Sequence, residues 1–263
     1  MNNSYIHPSA KIGTGTQIEP FAVIYDDVEI GKNCKIHSHV TIFQGARIGD
    51  DCEIFPGASI AAVPQDLKFA GEYTTCRIGN NNRIRESVTI NRGTAASGAT
   101  IVGNDNLIMA YSHIAHDCRI GNHCVLANNT TLGGHVEIDD WAVAGGFSAI
   151  HQFVKIGQHA ILMGGALVDK DVPPYVKAAK FPLSYYGVNA IGLERRGFIQ
   201  EHITEIHNIY RVLFQSGLPY SEAIKEIKKL PKTERLQVIL DFISRSERGL
   251  MRGFNNKDND LNQ

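Results

Sequence analysis

The chain has 263 residues, of which 43% are hydrophobic and 20% charged, and its formal net charge is −1. These are ordinary globular values, and they exclude a global electrostatic pull toward nucleic acid or anionic membrane. The opening MNNSYIHPSAK has no apolar signal core and no run approaches the ~20 apolar residues of a membrane span, so the expectation is a cytoplasmic protein without an integral membrane segment.

From Ile6 onward an aliphatic residue recurs at every sixth position. The series runs Ile6, Ile12, Ile18, Ile24 and on to Ile60, resumes at Ile78, Ile84 and Ile90, then continues from Val102 to Val168 with only Ala144 small. A helical face repeats near 3.6 and an alternating strand at 2, so neither explains this period. A hexad has room for one short strand and a corner, buries one or two side chains, and must stack on copies of itself. The chain therefore reads as a mainly β solenoid of hexapeptide repeats. Four residues after the anchor the side chain is small or β-branched, as at Ala10, Thr16, Ala22, Val28, Val40 and Ala58. Glycine often follows the anchor (Gly13, Gly31, Gly49, Gly79, Gly103, Gly121), where a corner needs positive φ or close backbone approach.

Cys34, Cys52, Cys118 and Cys124 fall at that second inner position, which suits a small buried hydrophobe. Cys76 lies outside the pattern. With no C-x-x-C pair and an odd number of cysteines, neither a disulfide framework nor a zinc–thiolate site is expected.

Two stretches interrupt the beat, near 61–77 and 91–101. A solenoid admits insertions as loops thrown from a corner, and such loops often build a binding face. The first holds Gln65, Asp66 and Lys68 beside Leu67 and Phe69, which fits a solvated loop and a binding loop equally. After Val168, Pro173 and Pro174 stop the strands, and a linker through Lys180 and Pro182 leads to helical periods. Ile203, Ile206, Tyr210 and Leu213 form one stripe ended by Gly217. Ser221 is placed to cap a shorter helix carrying Ile224 and Ile227, and Leu236, Ile239, Leu240 and Ile243 form a third. The expected organisation is a solenoid over 1–180, a helical domain over 181–252 packed on the solenoid or on a neighbouring subunit, and a disordered tail over 253–263.

With three hexads per turn, residues 18 apart in the sequence lie above one another at about 4.8 Å, the ordinary strand spacing. His116, His135 and His151 then line one edge on successive coils, Gly134 sits one turn above His116, and His113 and Asp117 flank it. A lone histidine on a solenoid is usually a corner residue, but this grouping forms an active-site constellation that has no serine or cysteine nucleophile. Three imidazoles around zinc must converge at ~2.0–2.1 Å from one point. Histidines spread over three coils, roughly 10 Å end to end, do not converge in one chain. An imidazole acting as general base fits better.

The hexads, together with QDLKFAGE (65–72), NRIRESVTINRGT (82–94), HIAHDC (113–118), LANNTTLGGHV (126–136), HQF (151–153), DVPPY (171–175) and GVNAIGLERRGF (187–198), resemble the UDP-N-acetylglucosamine O-acyltransferase family over nearly the whole chain, to about Arg252. The resemblance implies a left-handed parallel β-helix with a C-terminal α-helical domain, assembled as a homotrimer. It implies transfer of an (R)-3-hydroxyacyl chain from acyl carrier protein to the 3-hydroxyl of UDP-N-acetylglucosamine, the first step of lipid A biosynthesis, with no acyl-enzyme and neither metal nor organic cofactor. By resemblance His116 is the base, Asp117 its carboxylate partner and Gly134 the oxyanion donor. Gln65, Asp66, Lys68, Asn91, His113, His135, His151 and Gln152 surround the acyl and sugar groups, Asn189, Arg195 and Arg196 contact the nucleotide, and Gly164 limits acyl-chain depth. Glycine at that last position goes with long chains.

Two residues depart from the family pattern. Asn91 stands where histidine is common and Ile191 where a glutamate helps hold the nucleoside, which leaves open an ordinary or an analogue sugar acceptor. The alternatives are an N-acyltransferase of the same fold acting on a UDP-glucosamine intermediate, and a zinc-dependent β-helix hydratase. Lys225, Lys228, Lys229, Lys232 and Arg235 fit an acidic carrier protein or a solvated helix face equally.

Overall fold

A computed structural model describes residues 3–253, so the tail expected to be disordered lies outside the described residues except for Gly253. Most hexads contribute a strand of two residues with the anchor buried and its predecessor turned outward, as in Lys35–Ile36. Ile24 pairs with Ile42 and Ile42 with Ile60, an offset of 18 residues that makes one turn of three hexads. Among the described residues the strands stack into three parallel sheets of nine, eight and ten strands. The last strand of the ten-stranded sheet is antiparallel. The architecture is a left-handed parallel β-helix of triangular section. The nine-stranded sheet is the first face, the eight-stranded sheet the second and the ten-stranded sheet the third. The buried anchors Ile36, Ile54, Ile84, Ile108 and Leu126 form one of the columns of the core.

The turns between faces use left-handed backbone at residues other than glycine, including Asp117, Trp141, His135, Phe153 and His159, with φ between 58° and 66°. Each costs about 1–2 kcal/mol relative to ordinary backbone, and the ladder bonds on either side offset it. The glycines that follow the anchors answer a different need. Gly31 does not have positive φ, but a Cβ there would lie 2.5 Å from the Gly49 carbonyl carbon of the next coil. Close approach, not conformational freedom, selects glycine at that position.

The cysteines are all free and buried. Cys34 donates its thiol to Gly49 O at 3.1 Å and Cys118 to Gly133 O at 3.2 Å, so they lace adjacent coils. Cys76 is not an exception: it pairs in register with Ala46 and is fully buried, occupying the same inner column.

Across the two insertions Ile60 pairs with Ile90 and Ile90 with Ile114. The insertions thus lengthen two turns by whole hexads, which is why the sixfold phase survives them. Both leave the corner between the first and second faces. They are laced together: Glu72 accepts from Ala95 N at 3.0 Å and from Ala70 N at 2.9 Å, and Thr74 Oγ1 donates to Gly93 O at 2.6 Å.

The stretch read as a linker is instead the end of the third face. Val176–Ala179 pairs with Ile161–Leu162, and Ser184–Val188 returns antiparallel to it. Among the described residues four helices follow: α1 (Ala190–Arg195), α2 (Gln200–Gln215), α3 (Tyr220–Ile227) and α4 (Glu234–Arg245). The sequence pattern missed α1, which is too short for periodicity. Ser221 lies inside α3, and Pro219 takes the cap position, where its fixed φ starts the helix without a side-chain bond. The helical domain packs on its own solenoid. Tyr210 donates to Pro174 O at 2.6 Å, Ser246 donates to the buried Asp171 carboxylate at 2.6 Å, and Arg245 pairs with Glu137 on the second face. Among the described residues no helix is long and apolar enough to cross a membrane.

Because stacked anchors share one column, truncating one opens a cavity that neighbouring coils cannot close. Ile84→Ala should cost about 2–5 kcal/mol in urea unfolding, and a loss under about 1 kcal/mol would show that the column repacks.

Candidate active site

The corner between the first and second faces carries Asp117, His135 and Phe153 on successive coils, each in left-handed backbone. His116, preceding Asp117, is also buried. Its Nδ1 lies 2.8 Å from Asp117 Oδ2. An ionised carboxylate only accepts, so Nδ1 carries the proton and Nε2 turns its lone pair outward.

The second insertion explains why that carboxylate stays ionised in a buried place. Asp117 Oδ1 accepts from Thr94 N at 3.0 Å, Oδ2 accepts from Thr94 Oγ1 at 2.7 Å, and Ser97 Oγ donates to Oδ1. Asp117 N donates to Thr100 Oγ1 at 2.8 Å. Burial opposes ionisation, yet donors from Ser97, His116 and Thr94 outweigh it and hold the carboxyl below its usual range. Thr94, Ser97 and Thr100 were not legible as site residues, because the path of the insertion decides where they fall.

Above His116, a Cβ built on Gly134 would sit 2.6 Å from the imidazole Cε1 and 2.8 Å from Nε2. Only glycine lets the ring occupy this place. Among the described residues the Gly134 N–H finds no acceptor, although its carbonyl accepts from Phe153 N at 3.1 Å. His135 stands edge-on to His116, centroids 5.3 Å apart, and stacks on Phe153 at 4.6 Å. Burial lowers the His135 pKa despite the nearby Asp117 carboxylate, which raises it. His113, one hexad position earlier on the first face, bonds Thr89 Oγ1 through Nδ1 at 2.7 Å, and burial together with His116 lowers its pKa. His151 is exposed and bonds the Gln152 carbonyl through Nδ1 at 3.1 Å, one coil above Gly133 and Gly134.

From the first insertion, Asp66 faces His116 with Oδ2 4.0 Å from Nε2, leaving a gap beside the lone pair. Its Oδ1 accepts from Lys68 N at 3.0 Å, while the Gln65 and Lys68 side chains are exposed. Asn91 is buried at the base of this loop and donates Nδ2 to Val63 O at 3.1 Å, while its Oδ1 is buried without a partner. His116, Asp117 and His135 also offer ligand atoms within 4.8 Å of one another, closer than the three-coil spacing of His116, His135 and His151 suggested. A cation there would have to displace the proton shared by His116 and Asp117, and Thr94 already bonds the same carboxylate oxygen.

The remaining candidates lie at the other two corners. Gly164 is exposed between the third and first faces, and a Cβ on it would meet only Gly146 O, at 3.4 Å. Asn189, Arg195 and Arg196 lie by the corner between the second and third faces. Asn189 caps α1, accepting from Gly192 N at 3.2 Å and donating to His159 O at 2.9 Å. Arg195 and Ile191 are exposed. Arg196 lies over Trp141 at 5.2 Å and donates to His159 Nδ1 at 3.2 Å. Trp141 and His159 escaped the sequence reading although, being 18 apart, they obey the same stacking rule as His116 and Gly134. In α3 Lys225 is paired with Glu222, and Lys229, just beyond its end, with Glu226, which weakens the positive field of that face.

Comparison with known proteins bears on the whole chain. A family model described as Udp N-acetylglucosamine O-acyltransferase, domain 2, matches residues 171–251, and a bacterial transferase hexapeptide model of six repeats matches 9–44 and 99–134. The chain is 49% identical over 250 residues to the acyl-[acyl-carrier-protein]–UDP-N-acetylglucosamine O-acyltransferase of Xylella fastidiosa, covering 94% of this chain and 95% of that protein. It is 48% identical over 206 residues to the Janthinobacterium enzyme of the same name, covering 76% of this chain and 79% of that one. Among solved structures, a UDP-N-acetylglucosamine acyltransferase from Bacteroides fragilis matches with a TM-score of 0.93 at 48% identity, covering 96% of this chain and 99% of its own. The Francisella novicida enzyme gives 0.94 at 42%, covering 98% and 95%.

The seat of His116 depends on the bare Cα above it. Gly134→Ala should keep the fold, since the nearest atoms a Cβ there would meet belong to the His116 side chain and not to backbone, but displace the ring and lower turnover by roughly 10²–10³. Turnover within about twofold of wild type would show that the ring does not need this seat.

Proposed function

We propose a mechanism from the premise that the chain belongs to the UDP-N-acetylglucosamine O-acyltransferase family, enzymes that move an acyl group from acyl carrier protein to UDP-N-acetylglucosamine. The chain does the same chemistry. Its acyl group is an (R)-3-hydroxyacyl chain, its acceptor atom is the sugar 3-hydroxyl, and the step opens lipid A biosynthesis in the cytoplasm. The observation that carries the mechanism is the His116–Asp117 bond, which leaves Nε2 unprotonated and facing the gap beside Asp66.

In this reading Nε2 takes the proton from the 3-hydroxyl as its oxygen attacks the thioester carbonyl. The Gly134 N–H donates to the carbonyl oxygen as it becomes an oxyanion. The C–S bond then breaks, and the thiolate leaves with the proton held by His116. Asp117 fixes the tautomer and stabilises the imidazolium between the two transfers. No covalent acyl-enzyme forms, and no metal or organic cofactor takes part. Asp66, Lys68, Gln65, Asn91, His113, His135, His151 and Gln152 hold the sugar and acyl groups about this centre. Asn91 has a buried oxygen still free for a substrate donor. Arg195 and Arg196 hold the diphosphate, for which guanidinium groups are well shaped, and Asn189 sets the helix that carries them.

These groups occupy all three corners of a prism, so one substrate cannot touch them all in a single chain. A homotrimer in which corners of neighbouring copies face each other resolves this. An apolar ladder on the outside of the third face supports it. Leu107, Val125, Val143 and Ile161 point outward there in register, whereas the matching column on the second face reads Arg77, Ile101, Arg119, Glu137 and Lys155, charged at all but one position. Tyr111 and Phe147 stand exposed at the adjoining corner.

The direct test pairs UDP-N-acetylglucosamine with a panel of hydroxyacyl carrier proteins. His116→Ala should lower turnover by roughly 10²–10⁴ with the trimer intact, and near-normal turnover would rule the mechanism out.

Chain length follows from Gly164. Its open side leaves room for a long acyl tail, and each buried methylene contributes about 0.8 kcal/mol. The preferred donor should have roughly 14 carbons or more, several methylenes being buried. Gly164→Met, which the backbone accommodates, should move the optimum to shorter chains. An unchanged optimum would mean that the tail does not reach this corner.

A further inference from the structure

Arg196 is half-buried with its guanidinium over the Trp141 ring. Among the described residues no carboxylate pairs with it, and what it donates to is an imidazole. Two groups that can both be cationic face each other at 3.2 Å, an arrangement that holds only while the histidine is neutral. The surroundings keep it so. The His159 ring lies between Trp141 (6.1 Å, 4°) and Tyr175 (5.7 Å, 18°) with Phe198 edge-on at 5.2 Å. Burial and the neighbouring Arg196 push its pKa down to about 4, although Asp140 pulls the other way. The Asp140 carboxylate is itself engaged, its Oδ1 accepting from Asn122 N at 2.7 Å and from Nδ2 at 3.1 Å. A guanidinium only donates, so Nδ1 of His159 is the acceptor and the ring proton sits on Nε2. The carbonyl of the same residue accepts from Asn189, which caps the helix leading to Arg196.

We infer that His159 is the positioning residue of the nucleotide site, aiming the Arg196 guanidinium through a neutral acceptor that leaves its charge available to a diphosphate. This rests on the proposed reading that Arg196 contacts the nucleotide. A carboxylate at the same place would orient the guanidinium equally well but neutralise it. A neutral imidazole fixes direction and keeps the charge, and burial of the pair strengthens the attraction for an incoming anion. Residue 159 thus controls sugar-nucleotide affinity without touching the reacting atoms.

The position allows a sharp test because its backbone is left-handed, with φ of 58°. Asn and Asp both tolerate that conformation, place an acceptor at the same distance from Cβ as Nδ1, and differ only in charge. The experiment measures the UDP affinity of the purified full chain by calorimetry and the KM for UDP-N-acetylglucosamine, with thermal melting to check folding. His159→Asn should bind UDP within about threefold of wild type, whereas His159→Asp, and His159→Phe, which keeps a ring but no acceptor, should each lose about tenfold or more. The losses should appear in KM with kcat little changed, since the acceptor acts only on binding. Equal UDP affinity in the Asp and Asn variants would overturn the charge-sparing role. Wild-type affinity in the Phe variant would overturn positioning altogether. Arg196→Ala separates the underlying reading: if it binds UDP as wild type does, the nucleotide lies elsewhere and both ideas fall, whereas a loss there with none in the Phe variant sinks only the role of His159.

Discussion

The parallel backbone ladder between residues 18 apart, such as Ile114 with Leu132 and Leu132 with Ile150, is the interaction on which the rest of this structure depends. Once a turn is fixed at three hexads, the inner columns must be aliphatic and the corners must repeat. Whatever stands at one corner is then brought against its counterpart on the next coil. Ladders of the side chains make this visible. Asp140 Oδ1 accepts from Asn122 N at 2.7 Å, Asn122 Oδ1 from Asn104 N at 2.8 Å, and Asn104 Oδ1 from Asn80 N at 2.7 Å. The candidate active site uses the same rule for chemistry. Gly134 lies over His116 because it lies one turn further on, and its missing Cβ is the space the imidazole fills.

The insertions show how a repetitive scaffold acquires a specific site. Both add whole hexads, so the anchors stay in phase although the pairing shifts locally between Ile60 and Ala62, and both leave the corner that carries His116 and Asp117. The first sets Asp66 opposite the imidazole. The second closes over Asp117 with Thr94 and Ser97, turning a buried carboxylate from a liability into a fixed acceptor. The solenoid supplies position, and the loops supply the donors that a flat β surface lacks.

Much of this was legible in the sequence, for reasons particular to periodic chains. The anchors, the inner column and the stacking of Gly134 on His116 all follow from counting. Counting also reaches Trp141 and His159, but they carry no motif to prompt it. Cys76 was misjudged because Glu72 replaces the anchor before it, though the inner column continues. Pro173 and Pro174 read as the end of the strands, yet the third face runs on through Val176–Ala179 and turns back, because tertiary pairing overrides a local stop. Loop paths cannot be counted at all, so Thr94 and Ser97 stayed hidden. The role of Asn189 was carried only by resemblance, and its amide turns out to hold α1 to the solenoid.

The proposed site is divided between corners, with the base at one and the guanidinium groups at another, and this division is the central claim of the account. Mixed trimers test it most directly. Chains bearing His116→Ala and chains bearing Arg196→Ala would be unfolded together, reassembled at equal ratio and assayed with UDP-N-acetylglucosamine well below its wild-type KM, where each alone is nearly inactive. If each site takes its base from one copy and its guanidinium from the next, about a quarter of the sites regain both groups, and activity returns in that proportion. If both groups serve a substrate within one chain, no reassembled site is whole and the mixture stays as inactive as its parts.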